Sequence, residues 1–257
     1  LAGLAGEQIA AACGGGLAVA YKDPQPGEPG NSNPVSCVDL RVEALLRAAL
    51  AAEFPEHIVI GEELPLHSPA SGFAWIIDPI DGTNNFINGV PLFAASIGVL
   101  FEGRPVAGAI WCATSHELRP GIYHGIAGGV LHFDGSPLVR RTNRPWRGLV
   151  AEPGMAPSYG ALGHTRVFGC AALEMAFVAA GLLRVAYISR PALWDITAGL
   201  ALLRAANCGA RVWRMGGWQP FSWFESWRDP AVLAKWCEPL LIGDSAALEA
   251  AAAGAAR

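Results

Sequence analysis

Three observations predict an α/β (α+β) fold for this 257-residue chain. In the first part, apolar segments flank a tight turn: Ala94–Phe101 and residues 105–113 lie either side of Glu102-Gly103-Arg104. Residues 121–139, glycine-rich and alternating, continue an antiparallel meander. In the second part, short strands alternate with helical segments, the rhythm of α/β layering. The composition is 52% hydrophobic and 16% charged, that of a globular chain able to bury one large core or two smaller ones.

The elements follow in order. Residues 1–20 are rich in Ala, Gly and Leu and suit a first helix, weakened by the glycines at 14–16. Residues 21–34, with four prolines, read as a turn-rich loop. Leu40, Ala44, Leu45, Ala48 and Leu50 recur at helical spacing over 39–54, with Ser36 as the cap and Asp39 in the first turn. Residues 58–60 are a short strand closed by Gly61-Glu62-Glu63, and the apolar run 74–77 is a buried strand ending on Asp78. After the meander the chain turns polar and basic near 140–147, with Pro145. A boundary is expected there, between an N-terminal α+β part (1–145) and a C-terminal α/β part (146–257). In the latter, strands are expected at 149–151, 166–168, 184–188, 210–213 and 240–242, and helices at 170–181, 194–207 and 245–256. The Ala-rich tail suits a helix or a frayed end, and no internal repeat is present.

Composition also limits function. Net charge is −4 with no dense run of Lys or Arg, which argues against nucleic-acid binding. Apolar stretches such as residues 92–101 are too short to span a bilayer. No charged segment followed by an apolar core opens the chain, so no signal peptide is expected and a cytoplasmic location is. Leu1 rather than Met comes first, the pattern of a trimmed sequence. The six cysteines are scattered without a CxxC pair, which suits reduced thiols, and no Cys/His cluster has ligand spacing, which argues against a zinc site. Nine tryptophans, five of them between 213 and 236, suit core and interface packing. The six histidines are isolated, and none is assigned to chemistry.

The chemistry sits in residues 75–86. Asp78 ends a strand, Asp81 follows three residues on, and Gly82-Thr83 makes a turn into a polar helix start. Two carboxylates at the mouth of a strand supply oxygen ligands for Mg²⁺, and backbone N–H groups at the turn suit a phosphate. Asp39, Glu62–Glu63 and Asp195 are further acidic residues at element edges. Taken singly each has an ordinary explanation: a helix-start charge for Asp39 and Asp195, a solvated pair for the glutamates.

Together they carry a resemblance. Gly61-Glu62-Glu63, then Asp78-Pro79-Ile80-Asp81-Gly82-Thr83, then Trp194-Asp195-Ile196-Thr197-Ala198-Gly199, in this order, resemble the inositol monophosphatase family. That lithium-sensitive, magnesium-dependent superfamily also holds fructose-1,6-bisphosphatases and 3′-phosphoadenosine 5′-phosphate phosphatases. Residues 34–39, 54–57, 93–98 and 105–108 extend the similarity over nearly the whole chain. The resemblance implies a layered αβαβα sandwich of the sugar-phosphatase type, with the active site between the two parts. It implies a phosphoric monoester hydrolase that uses two or three Mg²⁺, acts on inositol monophosphate and forms a homodimer. Glu62, Asp78 and the carbonyl of Ile80 would bind one ion, Asp78, Asp81 and Asp195 a second, and Glu63 a weaker third. Thr83, paired with Asp39, would orient and help deprotonate the attacking water. Gly82 and Thr83 would hold the phosphate through their N–H groups. Asp81, Asp195, Ala171 and Arg190 would contact the rest of the substrate. Elementary chemistry agrees: two Mg²⁺ roughly 4 Å apart clamp attacking and leaving oxygens in line, and clustered carboxylates call for cations.

The chain departs from the family pattern in three places. Inositol-specific members carry an acidic residue seven positions before the Asp of the Trp-Asp motif, and here that position is Ile188. Ser189 or Arg190 would take over, and an Arg favours a second anionic group on the substrate. The usual Gly-Ser is Gly169-Cys170, and the usual Glu-Ala-Gly-Gly lies within residues 204–209 as Arg-Ala-Ala-Asn-Cys-Gly. Histidinol phosphate, fructose 1,6-bisphosphate and 3′-phosphoadenosine 5′-phosphate are therefore alternative substrates. A catalytically silent scaffold is the alternative of another class, opposed by the retention of Glu62, Asp78, Asp81, Thr83 and Asp195.

Overall fold

The computed structural model describes residues 1–15, 18–22, 34–67, 71–140, 149–151 and 163–254. The expected boundary at 145/146 and most of the loop expected at 21–34 lie outside them. Helix α1 (Ala2–Ala12) leads to a small hairpin of β1 (Val19–Tyr21) and β2 (Pro34–Ser36), then to α2 (Cys37–Glu53). Ser36 caps α2, as expected, and Asp39, expected only as a first-turn charge, completes a reciprocal capping box with it. A seven-stranded sheet follows in strand order: β3 (Ile58–Gly61), β4 (Phe73–Asp81), β5 (Ala94–Phe101), β6 (Arg104–Cys112), β7 (Gly121–Ile126), β8 (His132–Phe133) and β9 (Ser136–Pro137). Only β3–β4 is parallel, and the short helix α3 (Thr83–Ile87) sits between β4 and β5.

The remaining elements are β10 (Leu149–Ala151), β11 (His164–Arg166), α4 (Ala171–Ala180), β12 (Val185–Ile188), α5 (Leu193–Ala205), β13 (Gly209–Arg214), β14 (Gly217–Pro220), α6 (Pro230–Leu233), β15 (Leu240–Gly243) and α7 (Ser245–Gly254). They form a six-stranded sheet of order β11-β10-β12-β15-β13-β14. The strand expected at 166–168 is described two residues earlier, and the carbonyl of Phe168 accepts from the Asn85 side chain. The hairpin strand β14 and the helix α6 had no expectation at all.

Strand periodicity sorts the core. Ile58, Ile60 and Ile76 face one side of the seven-stranded sheet, Val59 and Ile77 the other. On the Ile77 side lie α1 and α2, through Ile9, Val42 and Leu46. On the Ile76 side lie α4 and α5, which are apolar almost all round because the second sheet covers their far face through Val212, Leu240 and Ile242. Helix α7 closes the stack against Val185 and Leu241. The layers therefore run αβαβα. Helix α5 approaches the first sheet unusually closely, over a row of register-paired glycines, Gly98, Gly108 and Gly125. A Cβ on Gly108 would lie 2.3 Å from the Ala198 carbonyl oxygen, and one on Gly98 2.6 Å from the Ala198 nitrogen.

Candidate active site

The site is built at the C-terminal end of β4. In a regular strand, residues three apart point to opposite faces. Here Asp78 pairs with Ser96 but Asp81 with Ala94, so the β4 register slips by one residue between them. This bulge returns Asp81 to the same side as Asp78. Gly82 then turns the chain with φ +84°, and its Cα is tightly enclosed: a Cβ would meet Leu92 O at 3.0 Å and Cys170 Cβ at 3.1 Å. From the opposite side, α5 delivers Asp195 in its first turn. Ala192 N–H donates to Asp195 Oδ2 over 2.8 Å, and Ser96 Oγ donates to the carbonyl of Trp194 over 3.1 Å, tying that turn to β5.

Asp78, Asp81 and Asp195 each offer an oxygen within 4.8 Å of the others. Asp78 is buried, and its Oδ1 has no hydrogen-bond partner among the described residues. Burial first, then the charges of Glu62, Asp81 and Asp195, holds the Asp78 carboxyl well above the usual carboxylate range. Asp195 is raised for the same reason, with Asp81 the leading neighbour. Asp81 is pushed up to about 6 by burial, against the opposing effect of Ala172 N–H and Cys170 Sγ, which both donate to its Oδ2. Three crowded carboxylates and an orphaned buried oxygen form a donor set that fits a divalent cation.

Glu62 and Glu63 follow the end of β3, the charge of Glu62 reaches all three aspartates, and burial raises both glutamate pKa values, Glu63 to about 7. Lys22 Nζ donates to Glu62 Oε1 over 2.6 Å and to Glu63 Oε1 over 2.8 Å. Desolvation alone would lower the Lys22 pKa, but the two glutamates outweigh it and raise it. Asp39 is fully buried in the α2 cap, accepting from Ser36 N–H over 2.8 Å, and burial raises its pKa. The Thr83 hydroxyl lies 2.9 Å from Ile80 O and 3.3 Å from Asp39 Oδ1.

Of the residues expected from the sequence, Asp78, Asp81 and Asp195 converge, Glu62 joins them electrostatically, and Thr83 meets Asp39 and Ile80. Ala171 opens α4, yet the amide that reaches Asp81 belongs to Ala172. Arg190 is exposed, and no ion pair joins it to the cluster among the described residues. Lys22, Ser96, Ala172 and Glu174 have no role assigned from the sequence, and Cys170, noted there only as a departure from the family pattern, donates to Asp81. Glu174 lies in α4 with its carboxyl pushed up to about 8, by burial and then by Asp81. None of these has a local signal: each matters through a partner at least 40 residues away in the chain, as Lys22 does through Glu62.

Residues 1–236 match the inositol monophosphatase family. The inositol-1-monophosphatase of Bacillus subtilis (strain 168) is 32% identical over 215 residues, which cover 76% of this chain and 78% of that protein. A protein of Aquifex aeolicus (strain VF5) named fructose-1,6-bisphosphatase/inositol-1-monophosphatase is 31% identical over 198 residues, 70% of this chain and 72% of its own. The crystal structure of the extragenic suppressor protein suhB from Bartonella henselae shares the fold, with a TM-score of 0.73 at 24% identity over 96% of this chain and 93% of that one. The matched range contains every carboxylate of the cluster, and the layered fold is shared with the suhB structure; by the family match and its relatives, this chain belongs to the inositol monophosphatase family and is a phosphatase.

Proposed function

We propose that the chain is a Mg²⁺-dependent phosphomonoesterase of a small phosphorylated polyol, with inositol monophosphate as the first substrate to test. The observation that carries the reading is the trio of Asp78, Asp81 and Asp195 around the unpartnered Asp78 Oδ1. The names of the relatives support the substrate class.

Asp78, Glu62 and the Ile80 carbonyl would hold one ion, Asp78, Asp81 and Asp195 another, and Glu63 would support a third. When bound, Mg²⁺ neutralises the phosphoryl oxygens and makes water acidic enough to attack at neutral pH. The chain's own groups do the remainder. The N–H groups of Gly82 and Thr83 grip the phosphate at the left-handed turn. Thr83 Oγ1 accepts a proton from the attacking water while its own proton passes to Asp39, 3.3 Å away. The raised pKa of Asp39 makes it a better acceptor than an exposed aspartate. Asp195 would orient the water that protonates the leaving oxygen.

Ile188 is buried and apolar, so no carboxylate contacts substrate hydroxyls from that position. This favours a second reading with the same chemistry on fructose 1,6-bisphosphate, whose second phosphate would engage Arg190. Inhibition by Li⁺, a homodimer, a cytoplasmic location and a division into parts 1–145 and 146–257 belong to the same proposal. No helix among the described residues is long and apolar enough to cross a membrane.

The test is phosphate release with and without Mg²⁺ on myo-inositol 1-phosphate, fructose 1,6-bisphosphate, histidinol phosphate and 3′-phosphoadenosine 5′-phosphate. Mg²⁺-dependent turnover with one favourite is expected, abolished by Asp81→Asn and by Asp195→Asn with the fold retained. Persistent release by both variants would sink the mechanism.

A further inference from the structure

Helix α2 carries more than Asp39. Glu43 and Arg47 follow at successive steps of four, so the three side chains share one face. The Glu43 side chain is fully buried. Its Oε2 accepts from Glu63 N–H over 2.7 Å, and its Oε1 from Leu64 N–H over 3.1 Å and from Arg47 Nε over 2.8 Å. Arg47 Nη2 donates in turn to the Leu64 carbonyl over 3.0 Å. On the near side the carboxylate lies against Gly61, where an added Cβ would come within 2.2 Å of Oε1. The segment Gly61-Glu62-Glu63-Leu64 is thus wrapped around one buried carboxylate.

That arrangement is costly if its only purpose is packing. A buried carboxylate must be paired and hydrogen-bonded to be tolerated, and an apolar residue would fill the space without that requirement. Glu43 also adds negative charge beside Glu62, whose carboxyl it helps to raise. What the carboxylate achieves is directional: it fixes the Glu63 and Leu64 amides, and so sets where the Glu62 and Glu63 side chains start.

We propose that Glu43, oriented by Arg47, is a positioning residue that pre-organises Glu62 and Glu63 as cation ligands. The proposal rests on the Mg²⁺ reading above. Because Asp39 leaves the same helix face, α2 acts as a common ruler for the water-activating carboxylate and the ligand segment.

The test compares the parent with Glu43→Gln, Arg47→Met and Gly61→Ala. Two readouts need no turnover: Mg²⁺ binding by calorimetry, and amide hydrogen exchange of residues 61–64 in chelator. The third is the split between the Mg²⁺ half-saturation and the substrate KM at saturating Mg²⁺. Glu43→Gln is expected to weaken Mg²⁺ binding about 10–100-fold, the usual effect of losing an orienting partner of a ligand. It should speed exchange at Glu63 and Leu64 while substrate KM moves less than about twofold. Gly61→Ala, which displaces the carboxylate without removing it, should do the same, and Arg47→Met should do so more weakly. A lower thermal midpoint with unchanged Mg²⁺ affinity and unchanged exchange in the folded variants would overturn the proposal. If Glu43→Gln does not fold, Gly61→Ala decides by the same readouts. If the parent itself binds no Mg²⁺, the metal reading fails, and exchange at 61–64 still decides whether Glu43 holds the segment.

Discussion

Lys22 places an ammonium between two carboxylates that would otherwise repel each other in a partly buried setting. It stabilises the protein without a cation, and on the proposed Mg²⁺ reading it would compete with the cation for these carboxylates. Lys22→Met should therefore cost about 1–3 kcal/mol of stability in chelator, the penalty for leaving buried polar groups without a partner. Mg²⁺ should raise the melting temperature of this variant more than that of the parent. Equal Mg²⁺-induced shifts in a pair of melting curves would show that the ammonium does not occupy a cation position. At the same scale, Thr83 is poised by two acceptors, Ile80 O and Asp39 Oδ1. Thr83→Ala should lower kcat by about 10²–10⁴-fold with Mg²⁺ affinity little changed, since it removes proton transfer but no carboxylate. Thr83→Ser, which keeps the hydroxyl, should recover most of the rate. Asp78, Asp81 and Thr83 stood out in one local motif, whereas Asp39 and Asp195 stood out only through the resemblance that joins the motifs. Lys22 did not stand out, since it precedes Glu62 by 40 residues and nothing in its neighbours announces the pairing.

At the scale of elements, two devices bring the acidic residues together. The bulge in β4 turns an odd spacing into a shared face for Asp78 and Asp81. The glycine row on β5, β6 and β7 lets α5 settle on the sheet, which carries Asp195 to the mouth of β4. Gly108→Ala would drive a methyl into the Ala198 carbonyl, which is backbone and cannot rotate away. Overpacking of this kind costs about 1–3 kcal/mol. The helix should lift and Mg²⁺ affinity should fall with stability, as thermal melting and calorimetry would show; unchanged melting would mean that the row has no packing role. The helical and strand periods of α2, β5 and β6 were plain in the sequence. The bond from Asn85 to the Phe168 carbonyl was not, because it comes from a residue 83 positions earlier in the chain.

For the whole molecule, the clustered carboxylates link stability to pH. Burial raises Glu63 from its ordinary 4.5 to about 7 and Asp81 from 3.8 to about 6. Both bind protons more readily in the folded than in the unfolded chain. Their stabilising contribution is therefore complete below the unfolded values and is lost as pH rises through about 6 and about 7. In chelator, the melting temperature should fall over that window. Mg²⁺ binding must displace the same protons, so affinity should rise with pH over it. A melting temperature that climbs between pH 5 and pH 7.5 in chelator, values chosen to bracket roughly that window, would show that these carboxyls are already ionised without a cation.

By itself the sequence determined the α/β class, most element positions, the strand-end carboxylates and the family they resemble, because each is written in short-range periodicity or in motifs of a few residues. Only the tertiary structure decided which charges meet. The Lys22 bridge, the Glu43 hold on residues 61–64, the Ala172 amide on Asp81 and the descent of α5 onto Gly98, Gly108 and Gly125 all join segments far apart in the chain. Their physical cause is packing: burial brings like charges close enough to require partners, and the partners come from whichever layer lies alongside.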